Sequence, residues 1–221
     1  MNLLLRALVK FIFGVVLVGA MLFLPAGSFA FWGAWLFMGL LFVPILILGI
    51  VLLCKSPALL EKRLDSKEEE DTQKWVVAVT GVLFVCGFVV AGLDFRFGWS
   101  DVPTWAVAAA SAVLLVSYAL YAEVMRENAY LSRKIEVQEG QTVVDTGMYA
   151  VVRHPMYAVT VWLFLSIPVV LGSWWALLCF SPYVILIGVR IINEEKVLKA
   201  GLRGYEDYMK KVKYRLVPFI W

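Results

Sequence analysis

Charged residues are scarce in this sequence, and so are the side chains from which metal sites are built. Only 17% of the 221 residues are charged, and the net charge of +3 is too small and too dispersed to indicate a nucleic-acid partner. The single histidine, His154, argues against a protein-built zinc site, because such sites use several nitrogen or sulfur ligands. The three cysteines show no metal-binding spacing, and we interpret them as packed free thiols: Cys54, Cys86 and Cys179.

Apolar residues are in excess, at 62% of the chain with a mean hydropathy of +0.83. Soluble domains are nearer half apolar, so the excess predicts contact with lipid. The apolar residues form six segments: Leu8 to Leu24, Phe31 to Leu53, Trp75 to Leu93, Thr104 to Tyr121, Met156 to Leu171 and Trp174 to Ile192. A helix needs about 20 residues to cross the hydrocarbon core, and the first four segments meet or nearly meet that length. Only Gly172 and Ser173 separate the last two, which predicts a tight hairpin.

These segments predict an all-α polytopic membrane protein with about six transmembrane helices, since only closed helices satisfy their own backbone in lipid. Four helices would lie in residues 1–121, and residues 122–221 would combine the hairpin 156–192 with a cytoplasmic tail and a cofactor-binding region. Lys and Arg collect in the N-terminal tail, the loops 54–74 and 122–155, and the C-terminal tail, whereas the alternate connections contain only Arg96. Because cytoplasmic loops carry the excess of Lys and Arg, both termini are predicted to be cytoplasmic.

Polar residues of chemical interest bracket the hairpin. A two-residue far-side turn returns the chain to the same face, so the Arg153-His154-Pro155 corner and the Asn193-Glu194-Glu195 corner should be neighbours. Pro155 fits the first turn of a helix, and Gly147 fits a turn with positive φ or a close approach to a ligand. Arg153 and His154 would lie at a helix N-terminus, which favours anionic groups, although plain interfacial anchoring is an alternative.

Arg190 lies inside an apolar helix, where an ionisable group is costly and is a functional candidate. Glu194 follows at i+4 on the same face, so a structural ion pair between the two is the alternative. Glu195 points elsewhere and could serve a ligand or another helix.

The C-terminal part of the chain contains a recognisable set of motifs. They are Asn128-x-Tyr130-Leu-Ser132, Gly147-x-Tyr149, Arg153-His-Pro-x-Tyr157, the pair Glu194-Glu195, Gly204-Tyr-x-x-Tyr208 and Tyr214-Arg-Leu-x-Pro218-x-x-Trp221. In combination these resemble the isoprenylcysteine carboxyl methyltransferase family, which is related to the membrane phospholipid N-methyltransferases. The resemblance covers roughly Glu123 to Trp221. Ala158 departs from the family pattern, in which Gly often follows the Tyr, and this change could narrow the pocket slightly.

The resemblance implies a pocket for S-adenosylmethionine and a lipophilic substrate that enters sideways from the bilayer, with membrane lipids as the other partners and no metal. It places around the cofactor Gly147, Tyr149, Arg153, His154, Pro155, Tyr157, Glu194 and Tyr208. It ties Arg190 and Glu195 to substrate and catalysis. The chemistry agrees, because Tyr faces attract a sulfonium, Arg or His can hold a carboxylate, and Glu can accept from an amine or ribose.

Several functions remain compatible with these residues. The first expectation is carboxyl O-methylation of an isoprenylcysteine-type group, and a phospholipid or amine N-methyltransferase is the related alternative. An NADPH-dependent membrane reductase of the sterol type is possible although no G-x-G-x-x-G occurs, since such reductases do not require it. A non-enzymatic membrane protein is the third class; Pro44 and Pro168 interrupt apolar segments, but no acidic residue accompanies them as in transporters.

Overall fold

The computed structural model describes residues 3–64, 71–131, 135 and 137–221. Ser132 of the first motif lies outside these residues, as do three of the loop cations: Lys67, Arg133 and Lys134. The described segments contain helices and no strand. The α-helices are α1 Leu3–Ala26, α2 Trp32–Lys55, α3 Pro57–Leu64, α4 Asp71–Phe97, α5 Thr104–Glu127, α6 Pro155–Val170, α7 Trp174–Phe180, α8 Tyr183–Gly201 and α9 Tyr205–Lys211.

The protein is an integral membrane protein of the predicted all-α class. Within the described residues, five segments are long and apolar enough to cross a bilayer: Leu3–Ala26, Trp32–Lys55, Lys74–Phe97, Thr104–Glu127 and Trp174–Gly201. The first four correspond to the first four predicted segments and extend beyond them by two to six residues at their C-terminal ends. The fifth predicted segment forms α6, which has only 16 residues and is shorter than a standard span.

The sixth predicted segment differs from the expectation of one helix from Trp174 to Ile192. The structure interrupts it after Phe180 and resumes it at Tyr183, with Pro182 in the gap. Proline has no N–H to donate, so the helical hydrogen bonds are interrupted at Pro182, although Ser181 and Pro182 both keep right-handed helical backbone angles. The helix then continues past Ile192 to Gly201, so that its last turns carry the polar residues 193–195.

Small residues let α4 approach its neighbours closely. A Cβ at Gly92 would lie 2.6 Å from the carbonyl oxygen of Leu22 on α1, and a Cβ at Gly87 would lie 2.2 Å from the ring of Phe180. In lipid the hydrophobic effect does not drive helices together, so van der Waals contact between closely packed helices is a main cause of their association. Phe180 is fully buried in the main apolar cluster, which joins α1, α2, α4, α5, α6 and α7.

A buried carboxylate closes the turn between α6 and α7. Asp94 at the end of α4 is 2% exposed and accepts hydrogen bonds from the backbone N–H and the hydroxyl of Ser100, at 2.7 and 2.6 Å. It also accepts a hydrogen bond from the hydroxyl of Ser173, whose oxygen in turn caps α7 by accepting from the N–H of Ala176 at 2.9 Å. This polar cluster fixes the far end of the hairpin, roughly 24 Å along α6 from His154, given a rise of about 1.5 Å per residue.

Candidate active site

The hairpin brings the two predicted corners into contact. Pro155 is the first residue of α6, as predicted, and His154 and Arg153 precede it. Both of these residues are buried, and the Arg153 Nε lies 2.7 Å from a carboxylate oxygen of Glu195 on α8. The two-residue turn at the far end therefore has the consequence that the sequence indicated: distant motifs meet at one end of the helical bundle.

Glu195 is the centre of a buried charge cluster, which we call the Glu195 cluster and which consists of Glu195, Arg153, His154 and Arg215. One carboxylate oxygen accepts from Arg153 and lies 3.3 Å from the His154 Nε2, and the other accepts from the Arg215 Nε at 2.9 Å. Only 3% of Glu195 is exposed. A buried carboxylate needs such partners to remain in the protein interior. The carboxylate of Glu195 therefore contacts side chains of the protein itself: Arg153, His154 and Arg215.

The C-terminal tail is bound to the same corner through its backbone. The N–H groups of Arg153 and His154 donate to the carbonyls of Tyr214 and Arg215, each at 2.9 Å. The Arg153 guanidinium also donates to the carbonyls of Val212 and Lys213, each at 2.8 Å. Arg153 thus connects the start of α6 to α8 and to the tail. Its guanidinium donates these hydrogen bonds to groups of the protein itself.

A second polar chain runs beside this cluster. The Tyr157 hydroxyl donates to a carboxylate oxygen of Glu194 at 2.5 Å and accepts from the Arg190 Nε at 3.0 Å. Arg190 and Glu194 lie one helical turn apart on α8, as the spacing indicated, and Tyr157 on α6 lies between them. The Tyr157 hydroxyl therefore fixes the carboxylate of Glu194 relative to the guanidinium of Arg190.

Tyrosines from the loop and from α9 complete the site. The Tyr208 hydroxyl donates to the backbone carbonyl of Tyr149 at 2.7 Å, and the Tyr149 hydroxyl accepts from the side-chain amide of Asn128 at 3.0 Å. Burial raises the pKa of Tyr208 above its ordinary value, so this phenol stays protonated and remains a donor.

These elements line a cleft that opens to solvent. All the predicted cofactor-binding residues except Gly147 line it. Its remaining lining comes from the loop after α5, the first turn of α6, the end of α8 with the residue after it, and the start of α9: Asn128, Tyr130, Leu131, Ile135, Gln141, Thr142, Val143, Val144, Met156, Leu198, Leu202 and Tyr205. Arg190 and Glu195, the two predicted catalytic residues, contact lining residues but do not line the cleft themselves.

Tyr205 is a lining residue that the sequence analysis did not select. It is 4% exposed, and its hydroxyl has no hydrogen-bond partner among the described residues. Burial, followed by the carboxylates of Glu195 and Glu194, raises its pKa, so the hydroxyl is a proton donor. A buried donor without an acceptor is costly, and a polar ligand atom in the cleft would satisfy it. Its spacing of three residues from Tyr208 was the available signal, because residues at i and i+3 share a helix face.

Gly147 has the predicted positive φ, of 51°, but its close neighbour is a protein carboxylate. A Cβ there would lie 1.5 Å from an oxygen of Glu127, whose other oxygen accepts from the N–H of Met148 at 3.2 Å. Glycine is required here because the chain turns beside the end of α5. Gly147 thus shapes the loop that carries Tyr149.

The Gly147→Ala variant is expected to lose more stability than Gly140→Ala. Both positions have positive φ, at 51° and 70°, and such strain costs an L-residue about 1–2 kcal/mol. At Gly140 nothing lies within 4 Å of an added Cβ, so strain is the whole cost. At Gly147 the methyl must also displace Glu127 and break its bond to Met148, which adds about 1 kcal/mol. Unfolding of the two variants in the same detergent measures the difference, and equal losses would show that the Glu127 contact contributes nothing.

Comparison with known proteins finds a family whose model matches the part of this site that α6 and α8 supply. Residues 107–200 match the model of the isoprenylcysteine carboxyl methyltransferase (ICMT) family. The matched range contains α6 with its preceding corner and the Glu194-Glu195 pair, but neither α9 nor the tail. The protein described as "Uncharacterized protein YpbQ" of Bacillus subtilis (strain 168) is 32% identical over 97 residues, which are 43% of this chain and 58% of that protein. The predicted resemblance to the isoprenylcysteine carboxyl methyltransferase family is confirmed over residues 107–200, the range that matches the family model.

Proposed function

We propose that this protein is a membrane-embedded methyltransferase that uses S-adenosylmethionine and acts on a lipophilic substrate. The observation that carries the proposal is the cleft at the end of the hairpin, in which Tyr149, His154 and Glu194 of the matched segment converge with the tyrosines of α9. Its position at the ends of α5, α6 and α8 places a polar pocket beside apolar helix surfaces. A cofactor from the aqueous side and a substrate tail in lipid could therefore reach one site.

The lining residues fit the chemistry of the cofactor. Aromatic faces attract a sulfonium cation, and Tyr149, Tyr157 and Tyr208 supply such faces around the cleft. Glu194 can accept from an ammonium or a ribose hydroxyl, and the Tyr205 hydroxyl offers a donor that no described protein group accepts from. Because the guanidinium of Arg153 already bonds Glu195 and two tail carbonyls, we assign to Arg153 the positioning of the corner.

The bound cofactor would supply an electrophilic methyl group, and its transfer is an in-line displacement that depends mostly on positioning. Tyr157 orders the centre of the site, because its hydroxyl joins Arg190 to Glu194. Arg190 then holds a fixed positive charge next to the cleft, where it could orient a carboxylate acceptor. Opposite charges on acceptor and methyl donor cancel in the transition state, so a site that excludes water favours the reaction.

The acceptor that we propose is a carboxylate of the isoprenylcysteine type, and the orientation that we propose has both termini in the cytoplasm. The charge of Arg190 supports a carboxylate over an amine, since a cation repels a protonated amine. The distribution of Lys and Arg among the loops supports the orientation.

Binding of S-adenosylhomocysteine, the product form of the cofactor, tests the proposal. We expect the detergent-purified protein to bind it with micromolar affinity by calorimetry, to be stabilised against heat, and to show neither effect with NADPH. The Tyr205→Phe variant should fold normally and bind up to about tenfold more weakly, since one neutral hydrogen bond contributes about 0.5–1.5 kcal/mol. A folded protein that fails to bind at millimolar ligand would contradict the proposal, and stabilisation by NADPH would favour the reductase.

A further inference from the structure

Residues 217–220 form an apolar loop that the described part of the chain leaves exposed. Phe219 is 87% exposed and Ile220 is 80% exposed, and they are the two most exposed large apolar side chains in the part of the chain that the structure describes. Val217 beside them is 39% exposed. We call the residues 217–220 the C-terminal tip. An aqueous environment would disfavour this concentration of apolar surface.

The tip is a closed and ordered turn. The N–H groups of Leu216 and Val217 donate to the carbonyl of Trp221 at 2.9 and 3.0 Å, and the Trp221 N–H donates back to the carbonyl of Val217 at 3.1 Å. Phe219 has φ of 67°, which is costly for a residue with a Cβ. A strained residue persists only where its surroundings determine it, so the outward position of Phe219 is a built feature of the fold.

Contacts of Trp221 place the tip beside a membrane-crossing segment. The Trp221 ring lies against α8, where a Cβ at Gly188 would be 3.8 Å from it. It also packs on the apolar cluster that includes Tyr183, Ile187 and Ile191 of the same helix. These residues belong to the span Trp174–Gly201, and Ile192 on that helix is itself 46% exposed. The tip thus lies at a level where the neighbouring helix presents apolar side chains outward.

Two basic residues immediately precede the tip along the tail: Lys213 and Arg215. Arg215 stacks over the Trp221 ring, with its guanidinium carbon 5.2 Å from the ring centroid, and Lys213 is exposed. Cations next to apolar and aromatic side chains are the arrangement that suits a membrane interface, where anionic headgroups lie above acyl chains.

We infer that the C-terminal tip inserts into the lipid of the membrane interface, with Phe219 and Ile220 among the acyl chains and the basic residues at the headgroups. The tail then anchors to the bilayer at its end and to the Glu195 cluster through Arg215. Lipid is the occupant that the observations favour, because the tip adjoins an apolar span and carries cationic flanks. The inference does not depend on the proposed enzymatic activity.

Site-directed spin labelling of the full chain in vesicles tests this inference. The three native cysteines are replaced by alanine, and single cysteines are introduced by Phe219→Cys and Ile220→Cys. Glu206→Cys and Lys210→Cys on α9 serve as matched controls, because both side chains are exposed on a polar helix close in sequence. The measured quantity is the accessibility of each label to oxygen, which concentrates in lipid, relative to a water-soluble nickel complex.

We expect the ratio of oxygen to nickel accessibility to be above unity at positions 219 and 220 and below unity at 206 and 210. Vesicles with anionic lipid should increase the ratio at the tip. Nickel accessibility at 219 and 220 equal to that of the controls would place the tip in water and overturn the inference. Low accessibility to both reagents would also overturn it, because it would show that protein, from a second copy or another partner, covers the tip.

Discussion

The Glu195→Gln substitution is expected to lower the free energy of unfolding by about 3–5 kcal/mol, the range for removing one partner of a buried ion pair. Glu195 is 3% exposed and accepts from Arg153, from Arg215 and, by distance, from His154. A neutral amide would leave the buried Arg153 guanidinium without its counter-charge and would present N–H groups to N–H groups. The same change releases Arg215, so the C-terminal tail should detach from the corner.

Glu194→Gln is the matched control, one residue away on the same helix. The Glu194 carboxylate lines the cleft and accepts from the Tyr157 hydroxyl at 2.5 Å. We expect this variant to keep its stability within about 1 kcal/mol and to bind S-adenosylhomocysteine at least about tenfold more weakly, since a hydrogen bond to a charged group contributes about 1.5–3 kcal/mol.

Equilibrium unfolding in detergent and calorimetric binding, run on both variants, separate the two roles. If Glu195→Gln proved as stable as the unmodified protein and lost only methyl transfer, the structural role would be wrong and the catalytic role predicted from the family would stand. Removal of the tail by truncation is not an equivalent test, because it also removes the carbonyls that Arg153 bonds.

The features that could be predicted from the sequence follow from topology and from proline. A two-residue turn returns the chain to the membrane face from which it came. The contact between the Arg153 corner and the Glu195 corner could therefore be predicted from the lengths of the segments alone. Pro155 could be placed at a helix start for the same kind of reason, since its missing N–H is harmless only there. The number of apolar segments gave the all-α membrane class.

Other features depend on partners that are remote in sequence. Whether Glu194 or Glu195 faces the cleft depends on where the C-terminal tail binds. The local sequence of α8 does not predict the contact between Arg215 and Glu195. Gly147 was expected to approach a ligand, and the neighbour turned out to be Glu127, twenty residues earlier. The break at Pro182 was missed because strong hydrophobicity on both sides outweighed the local signal of the proline.

Arg190→Gln is expected to reduce methyl transfer to a carboxylate acceptor by about 100-fold or more while leaving the affinity for S-adenosylhomocysteine almost unchanged. The expected loss is that of removing one preorganised electrostatic contact from a transition state. Affinity should persist because Arg190 does not line the cleft; its Nε donates to the hydroxyl of the lining residue Tyr157, at 3.0 Å. Arg190→Lys is the matched control: it keeps the charge without the planar fork and should recover part of the rate.

The same variant distinguishes the two acceptor classes that share this site chemistry. With a small S-prenylated cysteine that has a free carboxylate, the loss should appear in kcat/KM, because the carboxylate is the group that Arg190 orients. With an amine acceptor, removal of a neighbouring cation should leave the rate unchanged or increase it, since the charge opposes a cationic substrate. If Arg190→Gln lost cofactor affinity and activity together, the role of Arg190 would be to position Tyr157 and Glu194. Another group would then have to orient the acceptor.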